Sequence, residues 1–299
     1  MEVLRGSLPD VPIGPHCHDP RACPFLDRCW PQDRDHITTL YKVGPKKAIE
    51  YMARGVHRIS EISSSQKLPE AAKRQVKALQ EGQMIVEPGL AEALSEFSGA
   101  LGFLDFETIA RAIPVWPGLG PWGQATAQFS YHEARSDGTY SHVGWLAEGP
   151  EDARPELARA LIEATQHSEK VVMYSSFERR CIRDLQSVVP GLRVELVDLE
   201  DKLIDLLPVL RNHVYHPDFR GSFSIKYVLQ PLVQELSYDD LVIGDGLLAS
   251  VEIAQLLFVP DSIHPEKRDR IRQDLLEYCE RDTWAMVKLL ESLHVLASA

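Results

Sequence analysis

The sequence predicts an α/β fold in which a mixed β-sheet is flanked by helices. Two strand-like segments at 125–132 and 140–146 are joined by the turn Ser136-Asp137-Gly138, a pattern typical of an antiparallel hairpin. A short apolar run at 171–174 is followed by a helical pattern at 177–188, as in alternating α/β proteins. Because hairpin strands come first and helices fill the C-terminal half, we expect a mixed sheet that helices cover.

We expect three segments in the chain of 299 residues. Residues 1–36 contain clustered cysteines among Pro, His and Asp, with little periodicity. Residues 37–88 have the pattern of short basic helices, and residues 89–299 hold the α/β domain. A chain of this length has enough material for one large domain and a smaller unit.

The remaining elements follow from periodicity in chain order. A short helix at 90–97 precedes a buried strand at 101–106, which leads into the hairpin. The other expected helices have apolar residues at helical spacing, and they span 48–53, 69–79, 153–167, 198–211, 222–235, 249–258 and 265–297.

Composition narrows the class of protein. Hydrophobic residues make up 44% and charged residues 25%, which is ordinary for a globular protein. No apolar run approaches the roughly 18 residues of a membrane span, and the first 21 residues do not resemble a secretory signal. We therefore expect a cytoplasmic protein without a membrane partner. The net charge of −12 argues against a protein that coats nucleic acid nonspecifically. The segment from Leu40 to Gln80 differs from this average, because it contains nine Lys or Arg and three acids.

Two carboxylates interrupt the first predicted strand, in Leu101-Gly-Phe-Leu-Asp105-Phe-Glu107-Thr108. Side chains alternate along a strand, so Asp105 and Glu107 share one face. Neighbouring acids repel each other and resist burial, so they need a compensating cation. A divalent metal ion is the natural candidate.

Three further residues can join this pair. Glu178 opens a helix directly after the buried strand at 171–174, at the sheet edge where α/β sites gather. Tyr278 and Asp282 are four residues apart in the last helix and therefore share a face. Such a group suits phosphodiester hydrolysis, because two metal ions held by carboxylates can clamp the attacking and leaving oxygens. The tyrosine hydroxyl can orient the attacking water.

In this order and spacing, the motifs resemble the DEDDy branch of 3′–5′ exonucleases, which have a ribonuclease-H-like fold. Three segments, 102–108, 221–229 and 278–286, also resemble the DUF2779 family, over nearly the whole chain. The resemblance implies a ribonuclease-H-like mixed sheet, two Mg or Mn ions held by four acids, and a tyrosine that orients water. The implied ligands are Asp105, Glu107, Glu178 and Asp282, and the implied tyrosine is Tyr278.

The second motif departs from the exonuclease pattern, which usually has Asp where this sequence has Glu178. Glutamate is one methylene longer but still supplies a hard oxygen ligand. Four nearby aspartates are rivals for the same role: Asp184, Asp198, Asp201 and Asp205. We expect Asp198–Leu207 to lie in the helix that follows the second motif.

The clustered N-terminal cysteines Cys17, Cys23 and Cys29 indicate a metal site rather than a disulfide. They resemble the C-terminal triplet of RecB-like nucleases, in which a distant cysteine completes a 4Fe-4S cluster. The resemblance implies a remnant of that cluster, and longer DUF2779 proteins carry a RecB-like domain before this point. Three possibilities stay open: zinc with His16 or His18 as the fourth ligand, an iron–sulfur site completed by a partner chain with a RecB-like domain, or a vestigial triplet.

The basic segment at 41–62 resembles a helix-hairpin-helix DNA-binding element, in which a helix N-terminus meets a phosphate. Lys46 and Lys47 would add positive charge there, while Lys42 stands where this element usually has its first glycine. Lys226 is a further candidate for phosphate binding. The alternative interpretation is a small helical pair whose lysines only favour solubility.

Together these features predict a metal-dependent 3′–5′ exonuclease that acts on a single strand or 3′ end of DNA or RNA. Trp116 or Trp122 could stack a terminal base, or the proline-rich loop that carries them could be a rigid cover. Two alternatives remain. One is a catalytically degenerate nucleic-acid-binding module left from a larger RecB-like and exonuclease fusion; the other is a ribonuclease-H-like endonuclease.

Overall fold

The computed structural model describes residues 11–63 and 65–298. The chain forms two compact units. The first contains the described residues up to Glu87 together with Arg211–Val228, and the second contains Pro88–Leu210 and the described residues from Leu229 onward. The stretch from 211 to 228 thus packs with the N-terminal residues, an association that periodicity in the sequence does not indicate.

The strands and helices have the following bounds. The strands are β1 (Ile85–Val86), β2 (Leu101–Ala110), β3 (Gln124–Ala134), β4 (Tyr140–Leu146), β5 (Lys170–Met173), β6 (Leu203–Asp205) and β7 (Val214–Tyr215). The α-helices are α1 (Leu26–Cys29), α2 (Pro45–Ala53), α3 (Glu70–Glu81), α4 (Leu90–Leu94), α5 (Arg154–Thr165), α6 (Phe177–Val188), α7 (Arg193–Asp201), α8 (Leu206–His213), α9 (Ile225–Leu232), α10 (Gly246–Phe258) and α11 (Pro265–Ser298).

The second unit is built on a five-stranded mixed sheet of order β4-β3-β2-β5-β6. Strands β4, β3 and β2 are antiparallel, whereas β2, β5 and β6 run parallel. Apolar side chains of α5, α6 and α7 cover one face, and those of α10 and α11 cover the other. The predicted mixed sheet flanked by helices is confirmed.

The register of β2, β3 and β4 determines which side chains meet on the face under α11. Asp105 pairs with Ser130, and Ser130 pairs with Gly144. Residues directly opposite in antiparallel strands point to the same side of the sheet. A bulge after Glu107 adds one residue to β3, so that Ala125 pairs with Ile109 and packs on the same face.

The expected helix at 198–211 is wrong. Helix α7 ends at Asp201, and strand β6 intervenes before α8 begins at Leu206. A strand of three residues carries almost no periodic signal, and β6 is held by its parallel pairing with β5. The strand therefore depends on tertiary contacts that the local sequence does not reveal.

The first unit has its own small core around Ile37, Ile59 and Val76. The buried Gln75 side chain donates to the carbonyl oxygen of Thr39 (2.9 Å) and accepts from the amide of Tyr41 (2.8 Å). Gly221 adopts a left-handed φ of +75°, and a Cβ there would stand 1.7 Å from the Thr39 carbonyl oxygen. A larger residue at 221 would therefore separate the 211–228 stretch from this core.

Across the described residues, none of the helices combines the length and apolar character that a membrane crossing requires.

Candidate functional site

Three carboxylates from β2 and α11 meet on the covered face of the sheet in the second unit. Asp105, Glu107 and Asp282 each place an oxygen so that these atoms lie within 4.8 Å of one another. The two strand residues are close because they alternate with Phe106, which is buried in the core on the opposite face. The structure therefore brings together the first and last motifs that the sequence singled out.

Glu178 reaches the same place from the first turn of α6. It follows β5, which is the parallel neighbour of β2, so its side chain starts beside Asp105. The Glu178 side chain is buried, and it lies near enough to Asp105 for the two carboxyls to shift each other's pKa. Its Oε2 atom is buried without a hydrogen-bond partner. We call Asp105, Glu107, Glu178 and Asp282 the acid cluster.

The acid cluster is electrostatically strained. Burial raises the pKa of Asp105 well above its usual range, and Asp282, Glu107 and Glu178 each raise it further. Burial also raises the pKa of Glu178 to about 8, with smaller contributions from Asp205 and Asp282. Acids held this close either keep protons or bind a cation. Hard carboxylate oxygens in this number suit Mg²⁺ or Mn²⁺.

Tyr278 lies one helical turn before Asp282 and is buried. Burial raises the pKa of its hydroxyl, and the nearby charges of Asp282, Glu107 and Asp105 raise it further. The hydroxyl is therefore neutral at pH 7. A neutral tyrosine can donate one hydrogen bond and accept another, so Tyr278 can orient a bound water but is a poor base.

Two residues at the acid cluster were missed by sequence reasoning. The hydroxyl of Tyr238 donates to Asp282 Oδ1. Arg281 holds the loop that carries Tyr238, because its guanidinium binds both carboxylate oxygens of Asp240 (3.0 and 2.9 Å) and the carbonyl oxygen of Ser237. No local pattern marks Tyr238, which lies 44 residues before its partner.

Cys279 is the second missed residue. Its thiol lies 3.4 Å from Asp105 Oδ2 and can donate to it. Burial and the neighbouring carboxylates raise the pKa of this thiol, which keeps it protonated. Its position beside Tyr278 was the only signal in the sequence that could have located it.

Among the rivals of Glu178, Asp205 lies near the acid cluster. Its Oδ1 accepts from the amides of Ser175 (3.1 Å) and Leu207 (2.9 Å), where it joins the end of β6 to the start of α8. The other three rivals, Asp184, Asp198 and Asp201, are exposed on α6 and α7. Asp205 therefore has a backbone-binding role that accounts for its position.

Of the two tryptophans proposed for base stacking, Trp116 is buried and donates through Nε1 to the carbonyl oxygen of Pro150 (3.0 Å). It packs against Arg154 and Phe258, so it is a core residue and that role for Trp116 is wrong. Trp122 is exposed, with a left-handed φ of 60°.

The cysteine segment belongs to the first unit. Cys17, Cys23 and Cys29 line one apolar cavity of about 230 Å³, together with His16. Within residues 11–63 and 65–298, their sulfurs do not form a group of three ligand atoms within 4.8 Å of one another. His18 Nε2 is buried without a hydrogen-bond partner in the same segment.

The predicted phosphate-binding lysines also lie in the first unit. Lys46 and Lys47 are exposed in the first turn of α2, which begins after Gly44. Lys42 adopts a left-handed φ of 54°, the conformation that the usual glycine of a helix-hairpin-helix element would favour. Lys226 lies in α9 and is half-buried.

A second group of ligand atoms lies on the same sheet face as the acid cluster. His132, His142 and Glu280 place one atom each within 4.8 Å of the others. We call these three residues the imidazole cluster. Burial lowers the pKa of His132 to about 4, with a further contribution from His142. Burial also lowers the pKa of His142, an effect that Glu280 opposes.

Comparison with known proteins supports the family resemblance over part of the chain. Residues 102–224 match the family described as Domain of unknown function (DUF2779). The matched stretch includes Asp105, Glu107 and Glu178, whereas Tyr278 and Asp282 follow it. No curated protein and no solved structure shows significant similarity to the chain.

Proposed function

We propose that the second unit is a Mg²⁺- or Mn²⁺-dependent 3′–5′ exonuclease of the DEDDy type, built on a ribonuclease-H-like fold. The observation that carries this proposal is the meeting of ligand oxygens of Asp105, Glu107 and Asp282 within 4.8 Å, with Glu178 near enough to raise the pKa of Asp105. The order of the strands, three antiparallel followed by two parallel, is compatible with that fold.

The donor set fits two divalent ions. Asp105, Glu107, Glu178 and Asp282 would hold them, and the orphaned Glu178 Oε2 offers a buried oxygen for that purpose. When bound, such ions lower the pKa of water and neutralise charge that develops on the attacking and leaving oxygens. The acids themselves orient these ions and are relieved of their mutual repulsion.

The neighbouring residues would prepare the acid cluster for this task. Tyr278 presents a neutral hydroxyl that can hydrogen-bond the attacking water, and Cys279 donates to Asp105. Tyr238 holds the carboxylate of Asp282 from the other side. These contacts orient the acids but add no positive charge. The negative charge of the acid cluster would therefore be balanced by a metal ion.

The region beside Glu178 favours an anionic substrate. Arg179, Arg180 and Arg183 line a surface cavity at the start of α6. Arg179 and Arg183 pair with Glu200, whereas the exposed Arg180 donates to the neutral Gln124 side chain (2.6 Å). Arg180 therefore keeps its full positive charge for a phosphate.

For the first unit, we propose that Lys46 and Lys47 bind the phosphates of the nucleic-acid backbone, with Lys226 as a further contact. Such contacts release counterions, so binding should weaken steeply with salt.

We also propose a metal at Cys17, Cys23 and Cys29. The nearby histidines favour zinc, and an iron–sulfur cluster would need a ligand from a partner chain.

The decisive experiment measures Mn²⁺-dependent release of nucleotides from 3′-labelled single-stranded DNA and RNA. Asp105→Ala and Asp282→Ala should each abolish release while leaving the circular-dichroism spectrum unchanged. Asp269→Asn, an exposed aspartate on the same helix as Asp282, is the matched control and should retain full activity. Full activity in either alanine variant would contradict the proposal.

Two outcomes would favour the alternative functions. Cleavage of circular single strands would indicate an endonuclease, because an exonuclease needs an end. Nucleic-acid binding that persists while a manganese titration shows no affinity at the acid cluster would indicate a catalytically degenerate binding module.

A further inference from the structure

We propose that His132, His142 and Glu280 form a separate binding site for a divalent transition metal, with zinc as the ion. The site goes beyond the proposed nuclease activity and shares no ligand with the acid cluster. It would join β3, β4 and α11 through one residue from each. The three candidate ligand atoms already lie within 4.8 Å of one another.

The hairpin register brings the two imidazoles together. His132 on β3 pairs directly with His142 on β4, so both side chains point to the face covered by α11. Their ring centroids are 4.6 Å apart. Glu280 enters from α11, and its Oε1 lies 3.7 Å from His142 Nδ1.

One assignment of protons satisfies the hydrogen-bond network beneath the two rings. In it, the hydroxyl of Thr283 donates to the carbonyl oxygen of Glu280 (3.0 Å), and its oxygen accepts from both His132 Nδ1 and Ser130 (2.8 Å each). Ser130, having donated to Thr283, accepts from His142 Nε2 (2.9 Å). This assignment places a proton on His132 Nδ1 and another on His142 Nε2.

The network leaves three acceptors together. His132 Nε2 and His142 Nδ1 carry lone pairs, and Glu280 supplies a carboxylate. Lone pairs and a negative charge that converge without a hydrogen between them repel each other. A cation bound among them removes this repulsion.

The ligand chemistry selects the class of ion. Two neutral imidazoles and one carboxylate suit Zn²⁺ and its neighbours, whereas Mg²⁺ prefers oxygen ligands alone. The second ring nitrogen of each histidine is held by a hydroxyl, as is usual for histidines that bind metals. Three protein ligands leave a fourth position for water.

The ion can reach the site from solvent. The side chain of Glu280 is 49% exposed and that of His142 is 25% exposed. His132 is buried and stacks near Trp284, with ring centroids 5.3 Å apart. His132 would therefore be a buried ligand, and Glu280 would be a ligand that solvent reaches.

The test is calorimetric titration of the chelator-treated full chain with ZnCl₂, in millimolar Mg²⁺ to occupy the acid cluster. The cysteine segment would bind zinc of its own, so the titrated chain and all of its variants carry Cys17→Ser, Cys23→Ser and Cys29→Ser. We expect one tight equivalent of zinc in this background. His132→Gln and Glu280→Gln should weaken it by at least about 100-fold. Glu277→Gln, an exposed glutamate on the same helix, is the matched control and should bind zinc as the otherwise unchanged background does.

Two further variants separate this inference from the proposed nuclease and from misfolding. Asp282→Asn, which removes an acid-cluster ligand, should leave the zinc equivalent intact. Glu280→His supplies a new imidazole at an exposed position and should restore the binding that Glu280→Gln loses. In the background without the three N-terminal cysteines, Co²⁺ should give the visible absorption of a four-coordinate site, and Glu280→Gln should remove it.

Three results would overturn the proposal. They are the absence of a tight zinc equivalent in the background without the three N-terminal cysteines, unchanged zinc binding in His132→Gln or Glu280→Gln, and a protonated His142 ion-paired with Glu280 at neutral pH in the presence of zinc.

Discussion

The acid cluster and the imidazole cluster lie on one face of one sheet, yet their electrostatics are opposite. Each charged neighbour that shifts the pKa of Asp105 is an acid, and each raises it. Burial lowers the pKa of both histidines in the imidazole cluster. One cluster concentrates negative charge, whereas the other concentrates neutral lone pairs beside one carboxylate.

Helix α11 supplies a carboxylate to both clusters. Asp282 joins the acid cluster and Glu280, two residues earlier, joins the imidazole cluster. Residues two apart on a helix do not face each other, so one helix can serve two sites that do not share ligands. If both proposals hold, the neighbouring side chains of this face would separate a hard cation at the acid cluster from a borderline cation at the imidazole cluster.

After the loss of activity expected of Asp105→Ala and Asp282→Ala, the next largest effect should come from Glu178, the fourth proposed metal ligand. Glu178→Gln should lower kcat for Mn²⁺-dependent hydrolysis by about 10²- to 10³-fold, because several kcal/mol of charge stabilisation depends on correctly held ions. Asp205→Asn should lower kcat by less than about fivefold, since an asparagine oxygen can still accept from Ser175 and Leu207. Steady-state kinetics of both variants makes the comparison. Equal losses would place Asp205 among the ligands.

The two clusters should give opposite slopes to stability against pH in the metal-free protein. The pKa of Glu178 is about 8 in the folded state against an ordinary 4.5, so the folded state holds an extra proton between these values. Stability should therefore fall as pH rises through that window. The pKa of His132 is about 4 against 6.5, so the unfolded state holds the extra proton and stability should rise with pH between 4 and 6.5.

Urea unfolding in chelator, measured from pH 4 to 9, tests these slopes. The pKa shifts of Glu178 and His132 each change the free energy of unfolding by an amount on the order of a few kcal/mol across these windows. Glu178→Gln should flatten the decline between pH 6.5 and 8 and uncover a rise below pH 6.5. His132→Gln should extend the decline below pH 6.5, because the two contributions oppose each other there in the wild type. Saturating Mn²⁺ should relieve the decline by binding the ionised acids. A decline that persists in Glu178→Gln would assign it to another group.

The sequence could indicate that Asp105, Glu107 and Asp282 lie together, because local pattern defines the positions of the predicted site residues. Asp105 and Glu107 alternate on a strand, Glu178 starts a helix, and Tyr278 and Asp282 share a helix face. The order of these motifs then implied that they converge. Tyr238 could not be found in this way, because it lies in a loop whose position depends on the contacts of Arg281.

The sequence could indicate only part of the imidazole cluster. The predicted hairpin is symmetric about Asp137, and that symmetry already pairs His132 with His142. Glu280 could not be assigned to them, because it comes from a helix more than 130 residues later in the chain. Strand β6 illustrates the same limit, since three residues become a strand only when β5 lies beside them.

A smaller effect should follow from removing the hydroxyl of Tyr238. Tyr238→Phe removes a hydroxyl that donates to Asp282, so the carboxylate would be held less firmly toward a bound metal. We expect the apparent Mn²⁺ dissociation constant to rise about 10- to 100-fold, with kcat at saturating Mn²⁺ within about threefold of the wild type. Tyr227→Phe, an exposed tyrosine, should change neither value. A fall in kcat that saturating Mn²⁺ does not rescue would give Tyr238 a role beyond positioning.

The smallest effect should come from Ser130, which lies between the clusters. It pairs with Asp105 in the sheet register, but its hydroxyl binds His142 and Thr283. Ser130→Ala should weaken zinc binding about tenfold, near the lower end for such supporting contacts, because water can replace a hydroxyl at the partly exposed His142. Mn²⁺-dependent hydrolysis should stay within about twofold of the wild type, since no acid loses a ligand or donor. If hydrolysis falls as much as zinc affinity does, the two clusters are coupled through the strand and cannot be treated as separate sites.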